Sequence, residues 1–348
     1  MAGLSARAGS ALKTRQKSRR LSRFAWIATG RPETLDVFWF SFNAVMPLIL
    51  IVALGYLLTH LKVINSPFID QANKFCFNVA FPISLFSSIV SLDLEVEISW
   101  KLYALVIAAI LLIVLMLMLI VPKFVKGNPQ RGALIQGIYR GNFLLMGYPL
   151  ARNFFGEAGI VPVVMLLPVV VGLYNFIAVF ILEYYDDSHP RSHVGVIALK
   201  IIKNPLIIGA LAGTVFSLLR LELPLFISRA TKDLGGIASP LALVLLGAQF
   251  NWHRVAGNVR LLVSAVVVRM LVIPVLVISA AILLGFRGPE LGGVFVLFCA
   301  PTAISSYVMA KSMHSDAELA GQIILITTVL SVVTLFVGSY ILRSLQMI

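Results

Sequence analysis

The sequence predicts an all-α polytopic membrane protein: ten transmembrane helices in two inverted five-helix repeats, with helices 4 and 9 broken where they cross. Three observations carry this prediction. The 348 residues are 59% hydrophobic and 12% charged, with a mean hydropathy of +0.96, more apolar surface than a soluble chain of this length can hide. Apolar segments of about twenty residues, the length that crosses a bilayer, recur at 38–59, 67–89, 101–121, 132–154, 159–182, 196–219, 226–249, 258–284, 290–312 and 318–342. The one sizeable polar interruption, EYYDDSHPRSH at 183–193, separates five segments from five. Because each half holds an odd number, homologous halves must enter the membrane in opposite directions.

The chain divides accordingly. Residues 1–36 form a basic extension, 37–183 the first repeat, 184–195 a cytoplasmic loop and 196–348 the second repeat. The extension has eight Lys/Arg against Glu33 and Asp36 and no continuous apolar core, so it is not a secretory signal. It reads as a disordered segment or a start site placed too far upstream, with an organelle transit peptide as the other reading. The net charge of +13 does not imply nucleic acid, because basic residues beyond the extension fall mostly in short loops, as membrane topology requires. Cys76 and Cys299 both lie in apolar stretches and imply no disulfide framework.

The halves can be compared directly. A shift of 158 places Phe68, Ile69, Ala72, Lys74, Ala80, Pro82 and Leu85 on Phe226, Ile227, Ala230, Lys232, Ala238, Pro240 and Leu243. The same shift places Pro47 on Pro205 and Gly55 on Gly213, and a shift of 159 places Tyr148 on Tyr307. Repetition of this kind marks an inverted-repeat secondary transporter, whose substrate site lies at mid-membrane between discontinuous helices. Loop charges set the orientation. Lys62, Lys123, Lys126, Arg131, Arg191, Lys200, Lys203, Arg254, Arg260 and Lys311 fall on one side; Lys101, Arg152, Arg220, Arg287 and Arg343 fall on the other. The richer side is cytoplasmic, which puts both termini outside.

The fourth segment contains RGNFLLMGYPL (140–150) and the ninth CAPTAISSYVM (299–309). Pro149 and Pro301 interrupt helical hydrogen bonding, and the freed backbone groups need a cavity or side-chain partners. Asn142, Thr302, Ser305 and Ser306 are suitable partners, and Gly141 allows close backbone approach. A shift of 159 sets Asn142 against Pro301. Two broken helices crossing at mid-membrane would aim half-helix N-termini at one point, an anion site. Arg140, two residues before Asn142, either pairs with a substrate carboxylate or holds broken backbone; Arg269 in the eighth segment faces the same choice with less positional support.

GNFLLMGYPLARNFFGEAG and APTAISSYVMAKSMHSDAELAG resemble the crossover motifs of the auxin efflux carrier family, and the likeness runs over residues 37–348. The resemblance implies a scaffold of helices 1, 2, 6 and 7, a moving unit of helices 3–5 and 8–10 in an elevator-like cycle, and a homodimer. The plant carriers have a second proline where Ser306 stands and a long loop where this chain has about a dozen polar residues. A bacterial-type organic anion permease for malonate- or malate-like carboxylates therefore fits better than an auxin carrier.

Asp70 and Lys74 stand four residues apart, an ion-pair spacing on one helix face, and Lys232 and Asp233 belong to the repeat-related stretch. The resemblance implies that such a pair lines the support side of the site. It reads either as a proton-coupling group or as a structural pair. Asp186, Asp187, His189 and His193 lie in a polar loop without a rigid second shell and read as a solvated loop rather than a metal site. No cofactor and no catalytic constellation is expected. The partners are a small carboxylate, the lipid bilayer and a coupling ion, H+ or Na+. A sodium-coupled bile-acid-type symporter, an anion channel and a membrane anion sensor are the competing readings.

Overall fold

The computed structural model describes residues 32–91, 99–187, 194–250 and 252–348. Among them every regular element is a helix. In chain order these are α1 (Pro32–His60), α2 (Ser66–Val90), α3 (Trp100–Phe124), α4 (Asn128–Tyr139), α5 (Phe143–Tyr184), α6 (Val194–Lys203), α7 (Pro205–Leu218) and α8 (Leu225–Ala248). Then come α9, which runs through Trp252–Val267, Val268–Val272 and Ile273–Leu283, α10 (Gly288–Cys299), α11 (Ser305–Ser312) and α12 (Ala317–Ser344). Residues 1–31 of the predicted extension, and His189 and His193, lie outside the described residues. The rest of the extension, from Pro32, is already helical.

Five helical stretches are long and apolar enough to cross a membrane: Ser66–Val90, Trp100–Phe124, Ile160–Tyr184, Asn258–Leu283 and Ala317–Ser344. Val45–His60, Pro205–Leu218 and Gly288–Cys299 are shorter apolar helices. Helix α3 illustrates how the apolar surface is divided. Leu102, Val106, Ile110, Val114, Leu117 and Val121 recur every three or four residues and are buried. Leu111, Leu112, Leu115 and Leu119 cover the opposite side and are exposed. Water would oppose such a surface, whereas lipid suits it.

Proline shapes several of these helices. In α2 and α9 a π-helical turn, Cys76–Ala80 and Val268–Val272, ends two residues before Pro82 and Pro274. A proline ring collides with the carbonyl four residues earlier, and widening the preceding turn moves that carbonyl aside. Pro301 has a stronger effect. The residue before a proline is pushed out of the helical region, and Ala300, at φ −60° and ψ 143°, ends α10 there. In the first half, Arg140 (φ −90°, ψ 104°) and Asn142 (φ −79°, ψ 50°) separate α4 from α5.

Helix α5 has 42 residues and would reach about 63 Å if straight. Yet Arg140, just before it, hydrogen-bonds to Asn175, and a Cβ on Gly147 would lie 3.1 Å from Val163. The run therefore doubles back, and its second part, Ile160–Tyr184, is the membrane-length piece. Elsewhere small residues set helix spacing. Gly55 of α1 lies against the Val244 carbonyl of α8, and Gly247 of α8 against the Val52 carbonyl of α1, with no room for a Cβ at either. Helices α1, α2, α7 and α8 thus pack backbone to backbone. Helix α10 packs along α5, and α4 along α3 and α12.

Candidate functional site

The two helix breaks meet. The Asn142 amide donates to the Pro301 carbonyl at 2.7 Å, and the Ala303 amide donates to the Arg140 carbonyl at 3.1 Å. These bonds form an isolated antiparallel bridge centred on Gly141 and Thr302. The positions matched by the repeat shift are therefore hydrogen-bonded to each other. The bridge satisfies groups that neither helix could satisfy alone.

Arg269 takes up the carbonyls at the C-terminal ends of α4 and α10. Its Nε and Nη2 donate to the Ala300 carbonyl at 3.2 and 2.6 Å, and its Nη1 to those of Tyr139 and Ile138 at 3.2 and 3.4 Å. The side chain is fully buried. Gly141 makes this possible, because a Cβ there would strike the guanidinium. The Thr302 hydroxyl donates to the Gly137 carbonyl at 2.6 Å, and the Thr302 amide donates to the Thr327 hydroxyl at 3.2 Å. Thr302 is therefore committed to the backbone. Pro301 contributes its carbonyl to the bridge in the same way.

The N-terminal ends are arranged differently. Phe143, which begins α5, and Ile304 with Ser305, which begin α11, line one cavity of about 50 Å3. Arg140, Asn142, Asn175, Ser84 and Ser239 also face it, from α2, α5, α8 and the first break. Arg140 is buried, with Nη2 2.7 Å from Asn175 Oδ1 and Nη1 on the thioether of Met309. Among the described residues, no carboxylate lies within ion-pair distance of Arg140 or Arg269. The Asn142 side chain makes no capping bond to α5 and faces the cavity.

The remaining predicted residues lie elsewhere. Ser306 is buried with its hydroxyl unpartnered, and Pro149 lies within α5 with its side chain outside those described. Asp70 does not pair with Lys74. Its carboxylate meets Lys311 Nζ at 3.0 Å, and Lys311 also donates to Gln249 Oε1 at 3.0 Å. Both residues line a second cavity of about 370 Å3 between α2, α8, α11 and α12. Lys74, Lys232 and Asp233 are exposed and line neither cavity. In the central loop Asp187 accepts from Asn128, and Asp186 lies 3.6 Å from Lys200. The readings from sequence missed Asn175, Ser84 and Ser239. A lone asparagine in the apolar fifth segment was the available signal.

A profile of the family described as "Membrane transport protein" matches residues 40–338. The chain belongs to this family, the auxin efflux carrier family of the sequence resemblance. A Rhizobium meliloti (strain 1021) protein named "Putative malonate transporter" is 28% identical over 308 residues, 86% of this chain and 95% of that protein. An "Uncharacterized transporter" of Methanothermobacter thermautotrophicus is 24% identical over 320 residues, 88% of this chain and all of that protein. The chain is a multi-pass membrane transporter and not an enzyme.

Proposed function

We propose that this transporter moves a small dicarboxylate of the malonate or malate class across the plasma membrane, held where the two helix breaks cross. One observation carries the reading. Arg140 and the N-terminal ends of α5 and α11 face a single cavity, with no protein carboxylate beside them among the described residues. A helix terminus is equivalent to roughly half an elementary charge. The two N-termini and the Arg140 guanidinium therefore present about two positive charges to the cavity. Around Arg269 the count closes instead, because two C-termini supply about one negative charge. A dicarboxylate balances the first set. The Rhizobium relative named for malonate supports the same class.

Asn142, Gly141 and Ser305 would contribute hydrogen bonds at the cavity wall, Pro301 and Thr302 hold the second break in place, and the unpartnered Ser306 hydroxyl follows Ser305 as a further polar group at the start of α11. Pro149 would weaken the first turns of α5. At about 50 Å3 the cavity holds a few waters, so loading requires its walls to part. Phe81, Ser84, Leu85, Leu206 and Ser239 belong to the closely packed set α1, α2, α7 and α8, and the other lining residues to the two breaks, α5 and α11. Sliding one set against the other is the elevator-like step. The ten-span inverted repeat, with 37–183 and 196–348 as its halves, a cytoplasmic loop at 184–195 and external termini, supplies the two access directions; the homodimer follows from the resemblance. Asp70, with Lys311, stands at the junction of the two sets as a coupling group for H+, with Lys74, Lys232 and Asp233 on the support side.

Labelled malonate uptake into proteoliposomes tests the reading. Wild-type protein is expected to show saturable uptake that unlabelled dicarboxylates compete away, and Asn142→Ala to lower it about tenfold, the value of a hydrogen bond to a charged group. Equal uptake by wild type and variant would remove Asn142 from the site. Flux that never saturates would favour a channel.

A further inference from the structure

Crossed-helix carriers that couple to sodium hold the ion on unwound backbone carbonyls and half-helix C-terminal ends. In this chain those carbonyls already have a cation. The Ile138, Tyr139 and Ala300 oxygens converge on the Arg269 guanidinium. It is fully buried, and Gly141 leaves it space that any larger residue would fill. The π-helical turn Val268–Val272 sits at this level of α9. No carboxylate stands within ion-pair distance of it among the described residues, so its charge is balanced mainly by peptide dipoles, with the Tyr174 phenol as its polar side-chain neighbour. A guanidinium does not give up its proton in proteins, so this cation never leaves.

We infer that Arg269 is a tethered counter-cation that occupies the position of a coupling ion, and that it makes carboxylate transport by this chain independent of Na+. The transport half of the inference rests on the proposed function; the occupancy of the carbonyl cluster does not. A mobile ion stabilises the crossing only when bound, so its binding energy can be linked to substrate. A covalently held one stabilises the crossing at every stage of the cycle and transmits no ion gradient. This favours H+ coupling or none over the sodium-coupled plan.

The test has a binding arm and a flux arm, both on the full chain. In the binding arm, thermal unfolding of purified wild type, Arg269→Ala and Arg269→Gln is followed in choline chloride, in sodium chloride, and with guanidinium at millimolar, non-denaturing levels. Wild type is expected to unfold at the same temperature in all three. The two variants are expected to unfold earlier in choline and to be raised by Na+ or guanidinium in a dose-dependent way, as mass action requires of a ligand specific to the folded state. In the flux arm, wild-type malonate uptake should differ less than twofold between Na+ and choline.

Stabilisation of the wild type by Na+, or uptake that rises severalfold with Na+, overturns the inference while leaving the dicarboxylate reading intact. Folded variants indifferent to both cations overturn it as well. If neither variant folds, the two wild-type measurements decide. Absence of any carboxylate uptake would sink the proposed function and leave the binding arm standing.

Discussion

Arg140 and Arg269 are buried on either side of the same crossing, and they differ in how fully the fold supplies them with partners. Each residue is under 5% exposed, and burying an ionised group away from water costs several kcal/mol unless it is paired or hydrogen-bonded. Arg269 offsets that cost with four hydrogen bonds to three backbone carbonyls, all at helix C-termini where a cation is favoured. Arg140 meets one amide oxygen and one thioether, and it faces a cavity also lined by the N-terminal ends of α5 and α11, whose dipoles disfavour a cation. The first arginine is neutralised by the fold. The second has no such set of carbonyls, and on the function proposed above a substrate carboxylate would neutralise it.

Removing Arg269 should have the largest effect. Arg269→Met leaves the Ile138, Tyr139 and Ala300 carbonyls without their donor; at 1.5–3 kcal/mol per bond to a charged group, the loss is on the order of 3 kcal/mol or more. Little folded protein should survive detergent extraction, as fluorescence-detected size exclusion would reveal. A monodisperse, thermally robust Arg269→Met would abolish the contrast drawn above. Arg140→Gln should do the reverse: an unfolding temperature within a few degrees of wild type, and malonate uptake down about 100-fold, as when one partner of a buried charged contact is truncated. Arg140→Lys should restore only part of the uptake, because an ammonium cannot reach Asn175 and a carboxylate in the planar manner of a guanidinium.

Gly141→Ala addresses both arginines, since its methyl would press on Arg269 while the residue itself lines the Arg140 cavity. Overpacking of this kind costs about 1–3 kcal/mol, so unfolding temperature and uptake should fall together; a loss of uptake alone would place Gly141 with the ligand. The smallest change is expected at Asp70→Asn. Its pair with Lys311 is well exposed on the Asp70 side, with 60% of that side chain accessible, and such pairs contribute under about 1 kcal/mol. The unfolding temperature should stay within about a degree of wild type, as thermal unfolding would show.

Much of the crossing was legible because proline and glycine leave marks that composition alone does not. Setting Asn142 against Pro301 by the repeat shift anticipated two residues whose backbones are hydrogen-bonded. Arg269 was weighed and underrated for a physical reason: its partners lie 31 and 130 or more positions away, so nothing in its own segment separates a dipole-capping arginine from one awaiting a ligand. The Asp70–Lys74 spacing misled in the opposite direction. A local i, i+4 geometry competes with every cation the fold brings nearby, and Lys311 arrives from the other half of the chain. Segment counting likewise treated 132–154 as one helix and 159–182 as the next, whereas the first is split at Arg140–Asn142 and its second part joins the following helix in α5.

The thioether beside Arg140 bears on how such a carrier turns over. Met309 offers a soft, weakly accepting sulfur where a carboxylate would be the tighter companion. An acidic side chain there would keep the guanidinium permanently occupied and compete with every arriving anion. On the function proposed above, a weak resident partner would leave Arg140 open to each arriving anion and would also let each one leave.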